Sequence, residues 1–181
     1  MNKIITILFA SLLIISCKTP EARKPISVKT GSFIDDSVER NKKLNAQEQS
    51  HILKIMEQQS DKSFIASESG FWYYYNTKTD VDTLNTPGFG DIIDYNYDVK
   101  TLNGKTIYSK EDIKSQRYVM DQQELFTGLR EGLKLMKTGE TVTFLFPSQK
   151  AYGYYGDQNK IGSNTPLMCE VTVFSITENN N

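Results

Sequence analysis

The stretch of sequence that decides the fold reads Leu125-Phe126-Thr127-Gly128-Leu129-Arg130-Glu131-Gly132. It opens a predicted helix over residues 124–137, in which leucines and a methionine recur every three or four residues and form one apolar face. Each glycine inside that helix weakens it by about 1 kcal/mol relative to alanine. Because glycine has no side chain, we expect Gly128 and Gly132 to let a sheet approach closely, and this predicts a helix packed on a β-sheet.

Alternating apolar and polar residues on both sides of this helix predict the strands of that sheet. Alternation at residues 141–146 and 169–173 predicts two of them, and Asn103-Gly104 predicts a hairpin turn. Several strands with one helix crossing them predict an α+β domain over residues 64–178. The clearest alternation places four apolar residues on one strand face, namely Ile93, Tyr95, Tyr97 and Val99.

Seven short motifs occur in the order and spacing of the FKBP-type peptidyl-prolyl cis-trans isomerases, which the chain resembles over residues 67–178. The resemblance implies a five- or six-stranded antiparallel sheet wrapped around one helix, with an apolar pocket between them. Besides the stretch quoted above, the motifs are Ser69-Gly70-Phe71-Trp72-Tyr73, Gly90-Asp91 through Tyr97, Asn103-Gly104, Met136-Lys137-Thr138-Gly139-Glu140, Phe146-Pro147 and Ala151-Tyr152-Gly153.

The resemblance also implies which residues form the pocket. Tyr97, Phe126 and Tyr152 match catalytic positions, where the Phe126 N–H holds the substrate carbonyl and the Tyr152 hydroxyl binds the peptide. From the residues alone, ordinary packing remains an alternative for the two tyrosines. The positions that match substrate-binding residues are Ile107, Leu125, Leu129, Ile161 and Cys169.

Several positions depart from the family pattern and leave two functions open. A Phe-Asp pair is replaced by Ile107-Tyr108, two further Phe positions are Gln116 and Cys169, a Trp is Leu129, and a Pro-Pro pair is Gly162-Ser163. These changes predict a larger or wetter pocket. The first hypothesis is an isomerase acting on proline-containing polypeptides, and the second is a binding module or chaperone with little turnover.

The composition excludes several other kinds of chemistry. The chain has one histidine and two cysteines, too few for a Cys/His zinc cluster, and His51 lies ahead of the domain, away from any Ser-His-Asp site. We therefore expect neither a metal nor a cofactor. Asp91, Asp94 and Asp98 lie at alternate or nearby positions and predict a solvated strand face. A formal net charge of −1 argues against nucleic-acid binding.

The N-terminal sequence predicts localisation to the cell envelope. A lysine at position 3 precedes an apolar run over residues 4–15, which is shorter than the roughly 20 residues of a membrane-spanning helix and fits a signal peptide over 1–16. Ile14-Ile15-Ser16-Cys17 resembles the lipobox of bacterial lipoproteins. That resemblance implies lipid attached to Cys17 and an outer-membrane location facing the periplasm. An ordinary secretory signal is the alternative.

Two segments lie between the predicted signal peptide and the domain. Residues 17–44 are polar, carry seven Lys or Arg from position 18 on, and predict a flexible tether, either solvated or lying on an anionic membrane. Residues 45–62 predict an amphipathic helix capped by Asn45, with Glu48 three residues later. Its narrow apolar stripe predicts packing on the domain or on a second copy, which leaves the oligomeric state open. With the lipobox in front, the chain resembles the gliding-motility-associated FKBP-type lipoproteins.

Overall fold

A computed structural model describes residues 30–81 and 85–179, with side chains from residue 34 on. The predicted signal peptide, the predicted lipid site at Cys17 and the first part of the predicted tether lie outside the described residues. The chain divides into two compact units, Met1–Val38 and Glu39–Asn181, and the described part of the first is helical. No helix of the described residues is long and apolar enough to cross a membrane.

The second unit contains one antiparallel sheet and the helices around it. In the described residues the helices are α1 (Thr30–Gln58), α2 (Lys110–Ile113) and α3 (Thr127–Leu133). The strands are β1 (Ile65–Ala66), β2 (Trp72–Thr77), β3 (Ile92–Tyr97), β4 (Val99–Thr101), β5 (Thr106–Tyr108), β6 (Gln116–Val119), β7 (Thr141–Phe146) and β8 (Leu167–Thr177). A short 3₁₀ turn, Ser148–Lys150, follows β7.

The order of the strands is β1-β2-β7-β8-β3-β6, with β4 paired to β8 and β5. Every pairing is antiparallel, which confirms the predicted α+β class and the predicted hairpin between β4 and β5. The sheet has eight strands where five or six were predicted. The difference arises because the two-residue β1 extends one edge and because Asp98 separates β3 from β4.

The two glycines of α3 bring that helix against the rings of β7, as the sequence predicts. A Cβ at Gly128 would lie 2.5 Å from Cδ1 of Phe146 and 2.7 Å from the carbonyl oxygen of Lys150. A Cβ at Gly132 would lie 2.9 Å from Cε1 of Phe144. Both distances are too short for a real side chain, so the close approach of helix and sheet depends on glycine at these positions.

Helix α3 is shorter than the predicted segment 124–137. Phe126 has the extended backbone of an N-cap residue, with φ −62° and ψ 141°. After Leu133 the chain tightens into turns, in which Met136 N–H donates to the Leu133 carbonyl, and Gly139 then takes a φ of +85°. Met136 is nevertheless fully buried. Turns that continue the apolar face show the same spacing of apolar residues as a helix. The apolar spacing in the sequence therefore overestimates the length of α3.

Helix α1 begins at Thr30, fifteen residues before the predicted start at 45. The tether prediction is therefore wrong for residues 30–44. Residues 30–44 contain no proline that would break a helix. An exposed helix can form without an apolar period. Glu39 and Lys42 make an i,i+3 ion pair of 3.6 Å on the surface of this helix. The apolar stripe packs on the domain itself, where Ile52 and Ile55 are buried with Leu102 and Leu145.

Two of the aspartates predicted to form a solvated face are buried instead. Asp91 accepts hydrogen bonds from the Gly88 and Asn179 amides at 2.7 and 2.8 Å. Asp98 accepts from the Glu170 amide at 3.0 Å and pairs with Lys100 at 2.6 Å. These carboxylates tie loops and strands together. In the part of the chain that the structure describes, no group of three acidic, histidine or cysteine side chains could hold a metal ion.

Replacing Gly128 by alanine tests the close approach of α3 to the sheet. Helix propensity alone would raise the free energy of unfolding by about 1 kcal/mol. We expect a loss of about 1–3 kcal/mol instead, because the new methyl group meets a ring and a backbone carbonyl that cannot both move. Denaturant unfolding measures the change. A stabilised Gly128→Ala protein would contradict the packing described here.

Candidate functional site

Phe126 and Tyr152 form a partly buried aromatic wall of the candidate site. Their ring centroids lie 5.2 Å apart, and the Phe126 ring also meets the edge of Phe146 at 5.5 Å. Behind them Phe144 and Phe146 stack at 5.4 Å, so the wall continues into the core. Phe126 starts α3 and Tyr152 follows the 3₁₀ turn after β7, so the pair is fixed by the same helix–sheet contact that the α3 glycines allow.

The floor of the site consists of buried side chains from the sheet, from α3 and from the loop after Tyr152. All eight side chains predicted to form the pocket belong to one hydrophobic cluster. Four of them are at least nine-tenths buried, namely Tyr97, Leu129, Ile161 and Cys169, and four are partly buried against these, namely Ile107, Leu125, Phe126 and Tyr152.

An open groove of about 590 Å³ lies over part of this cluster. Leu125, Phe126 and Tyr152 line it, together with Gln123, Glu124 and Arg130. Tyr97 is not among the residues that line the groove and belongs to the adjoining hydrophobic cluster. The structure therefore brings the predicted pocket residues together in one cluster. The polar rim of the groove, formed by Gln123, Glu124 and Arg130, was not predicted from the sequence.

Ile107 faces a different depression. That depression has a volume of about 300 Å³ and is lined by Ile107 together with Lys105, Lys160 and other residues of the β4–β5 hairpin and of the loop before β8. Ile107 still packs against the common cluster. The substrate-binding role predicted for Ile107 stays a prediction, and the position of its side chain separates it from the Phe126–Tyr152 groove.

Three polar hydrogens of the site have no acceptor among the described residues: the backbone N–H of Phe126 and the hydroxyls of Tyr97 and Tyr152. The carbonyl of Phe126, in contrast, accepts from the Arg130 amide at 3.1 Å and begins α3. Donors that have no partner in the protein and lie beside an apolar groove can serve a bound peptide. The arrangement supplies hydrogen-bond donors and apolar surface.

Burial keeps both tyrosines in their neutral form. It raises the pKa of Tyr152 to about 12, with Cys169, Asp157 and Tyr108 adding to the effect. Burial also raises the pKa of Tyr97 well above its usual value, and nearby Tyr152 and Tyr95 raise it further. At neutral pH each hydroxyl is therefore a donor and neither is an acid or a base.

Asp157 is a site residue that the sequence analysis missed. Its Oδ2 accepts from the Tyr108 hydroxyl at 2.5 Å, and its Oδ1 accepts from the amides of Asn159 and Ile161 at 2.9 and 2.7 Å. Burial raises the pKa of Asp157, but these hydrogen bonds more than offset burial, so the pKa lies below its usual value. An aspartate that binds the amide two residues later is typical of a turn, and that spacing was the available signal.

Asp157 and Tyr108 change the expectation for the altered Phe-Asp pair. The family pattern has an aspartate at the position of Tyr108, so the sequence predicts the loss of a carboxylate there. The carboxylate of Asp157, from the loop before β8, partly replaces it, because it accepts a hydrogen bond from the Tyr108 hydroxyl. Lys160 lies 4.7 Å from the centre of the Tyr108 ring on the same loop. The side-chain amide of Gln116 donates to the Ile113 carbonyl at 2.7 Å.

Two exposed tyrosines follow Tyr152 in the same loop. Tyr154 and Tyr155 are 70% and 79% exposed, and their rings meet edge to face at 5.3 Å. They follow Tyr152 in a loop that begins at Gly153 and turns again at Gly156, both with positive φ.

Comparison with known proteins identifies the family. Residues 85–174 match the family model described as FKBP-type peptidyl-prolyl cis-trans isomerase. A curated relative from Neisseria meningitidis serogroup B, named as the probable FKBP-type isomerase FkpA, is 29% identical over 90 residues, which is 50% of this chain and 33% of that protein. A probable FKBP-type isomerase from Haemophilus influenzae is 26% identical over 115 residues, covering 64% of this chain and 46% of that protein. The match thus spans between a third and a half of these relatives.

Solved structures share the fold. A peptidyl-prolyl cis-trans isomerase from Pseudomonas syringae superposes with a TM-score of 0.61 at 20% identity and covers 76% of this chain and 96% of its own. FkpA from Escherichia coli superposes with a TM-score of 0.55 at 19% identity and covers 97% of this chain and 81% of its own. At this identity the likeness concerns the fold.

The raised tyrosine pKa values predict how stability depends on pH. An unfolded tyrosine loses its proton near pH 10, whereas buried Tyr152 keeps it to about pH 12. Deprotonation therefore favours the unfolded chain, so the free energy of unfolding should be constant from pH 7 to 9 and fall between pH 10 and 12. Denaturant unfolding at each pH measures it. The fall should be smaller in Tyr152→Phe, and an unchanged fall would contradict the assignment to this residue.

Proposed function

Because the domain formed by residues 85–174 belongs to the FKBP-type peptidyl-prolyl cis-trans isomerase family, we propose that this chain catalyses rotation about X–Pro peptide bonds. The observation that carries the proposal is the Phe126–Tyr152 groove with its unpaired donors, over a floor that contains Tyr97, Leu129 and Cys169. Polypeptides that contain proline are the proposed substrates.

The chemistry requires no reactive group. Resonance makes the X–Pro amide planar and sets a rotation barrier of about 18–20 kcal/mol. A twisted amide has lost that resonance and is less polar than the planar form. Apolar surroundings withdraw the water that favours the planar form, and they therefore lower the barrier. The rings of Phe126 and Tyr152 provide such surroundings, with Leu129 and Cys169 beneath.

The unpaired donors fix the peptide within these surroundings. In the proposed mechanism the Phe126 N–H binds the carbonyl before proline, and the Tyr152 hydroxyl binds a neighbouring backbone oxygen. Binding on one side of the rotating bond leaves the proline ring free to turn against the apolar floor. Since both tyrosines are neutral far beyond pH 9, no step depends on a proton transfer.

The location of the activity is proposed from the N-terminus. A signal peptide over 1–16 with lipid on Cys17 would hold the domain at the outer membrane, facing the periplasm. Clients would then be exported polypeptides whose folding is limited by slow proline isomerisation. The resemblance to gliding-motility-associated lipoproteins extends the proposal to envelope proteins of that machinery.

A binding module is the second candidate function. Two features favour it. Gln116 and Cys169 stand where the family pattern has rings, and Tyr154 and Tyr155 offer exposed aromatic surface in the loop that carries Tyr152. A module of this kind would hold proline-containing segments and release them without accelerating their rotation. Turnover and binding therefore have to be measured on the same protein.

A proline-peptide isomerisation assay on the chain from residue 18 tests the first candidate. We expect Tyr152→Phe to lower kcat/KM about fivefold, because it removes one hydrogen bond of about 1 kcal/mol. Phe126→Ala should lower kcat/KM by at least about tenfold, because it removes a wall of the groove worth about 1.5–3 kcal/mol.

The matched control is Tyr155→Phe, which makes the same chemical change at an exposed position of the same loop and should leave kcat/KM unchanged. A native rate no higher than that of Tyr152→Ala, together with retained binding of the peptide, would contradict the isomerase and support the binding module.

Substitution of the proposed lipid-bearing cysteine tests the location. Cys17→Ser should move the protein from the membrane fraction to the soluble fraction of the cell and abolish its labelling by radioactive fatty acid, because serine cannot accept the lipid. Cys169→Ser changes the other cysteine and should leave both properties unchanged. A Cys17→Ser protein that stays in the membrane fraction would contradict the anchor.

A further inference from the structure

The C-terminal part of helix α1 lies on the face of the sheet opposite to the candidate site. Leu145 points to this outer face, whereas its neighbours Phe144 and Phe146 point to the site. On the outer face, Ile52 and Ile55 of the helix pack with Leu145 in a second hydrophobic cluster. The helix therefore contacts the strand whose end leads into the Tyr152 loop.

A buried carboxylate of α1 reaches this loop directly. Glu48 is only 6% exposed, and its two oxygens accept from the amide of Ser148 at 2.8 Å and from the hydroxyl of Ser148 at 2.7 Å. Ser148 itself is 2% exposed. Asn45, one turn earlier, donates to Gln149 at 3.5 Å. The pair Asn45 and Glu48, which the sequence predicts as a helix cap, is instead directed at the turn after β7.

Ser148 in turn holds both neighbours of Tyr152. Its carbonyl accepts from the Ala151 amide at 3.0 Å and from the Gly153 amide at 2.9 Å. Ser148 thus binds Glu48 through its amide and hydroxyl, and it binds the amides of Ala151 and Gly153 through its carbonyl.

We propose that Glu48 is a positioning residue that fixes the Tyr152 loop in its active arrangement. The proposal rests on the proposed isomerase function, in which the Tyr152 hydroxyl binds the substrate. Glu48 lies outside the matched family segment 85–174, so this role belongs to the helix that precedes the domain.

Burying the Glu48 carboxylate carries a cost in free energy. A buried charge is tolerated only where hydrogen bonds replace its water, and both bonds that replace it here come from Ser148. Charge-assisted hydrogen bonds are short and directional. Any shift of Ser148 would leave the carboxylate without partners, so Glu48 penalises displacement of the turn and of the Tyr152 backbone attached to it.

A role limited to docking would need no such group. Ile52 and Ile55 already bury apolar surface against Leu145 and hold the helix on the sheet. Apolar contacts are not directional, whereas the hydrogen bonds of a carboxylate are. Glu48 makes these hydrogen bonds to Ser148, the residue whose carbonyl binds the Tyr152 loop.

A double-mutant cycle on the chain from residue 18 tests the proposal. Glu48→Ala should lower kcat about fivefold with little change in KM, which is the loss expected when the Tyr152 hydroxyl no longer binds the neighbouring backbone oxygen while the X–Pro bond rotates. In a Tyr152→Phe background the same substitution should lower kcat less than about twofold, because the affected hydroxyl is already absent. Glu48→Gln, which keeps a hydrogen-bond acceptor, should restore most of kcat.

Two controls separate positioning from stability. Ile52→Val removes one buried methyl group from the same helix without contact to Ser148, so it should lower stability and leave kcat unchanged. Lys54→Ala lies on the exposed side of α1 and should change neither. If Glu48→Ala and Ile52→Val lower kcat equally at equal stability, or if the Glu48 effect persists in full in Tyr152→Phe, the positioning role is overturned.

Amide hydrogen exchange provides a readout that needs no catalysis. Exchange at Ala151 and Gly153 should accelerate in Glu48→Ala and Ser148→Ala but not in Ile52→Val. Should the native protein prove inactive while these amides still respond to Glu48→Ala, the positioning of the loop stands and the isomerase function fails. Unchanged exchange in an active protein overturns the positioning and leaves the isomerase intact.

Discussion

The packing of α3 against Phe144 and Phe146 is the constraint on which the remaining structure depends. At Gly128 the helix backbone lies so close to the Phe146 ring and the Lys150 carbonyl that one methyl group does not fit. The contact fixes the start of the helix, where Phe126 lies, relative to the end of β7, from which the Tyr152 loop departs. Two residues distant in sequence thereby become the two sides of one groove.

The resulting site offers a substrate apolar surface and hydrogen-bond donors. Its tyrosines are neutral, and the carboxylate of Asp157 is occupied by hydrogen bonds to Tyr108 and to the amides of its own loop. Such a site places few demands on side-chain identity beyond size and polarity. This explains how the fold tolerates Gln116 and Cys169 at positions where the family pattern has rings.

Much of this arrangement follows from the sequence, because apolar periodicity and glycine placement have local causes. The alternation along β3, the Asn103-Gly104 hairpin and the role of the α3 glycines are all confirmed by the structure. The polar pairings are not visible in the sequence. Glu48 and Ser148 lie 100 residues apart, and nothing local distinguishes a carboxylate that caps its own helix from one that binds a distant turn. For the same reason Asp91 and Asp98 were predicted to be solvated.

Cys169 illustrates a consequence of burial at the centre of the site. The side chain is fully buried and has no disulfide partner among the described residues. Burial raises the pKa of its thiol far above the usual value, so almost none of it is thiolate. Because only the thiolate attacks disulfides or peroxides readily, this sulfur is chemically inert as long as the domain stays folded. An unpaired cysteine can therefore persist at this position even in an oxidising compartment.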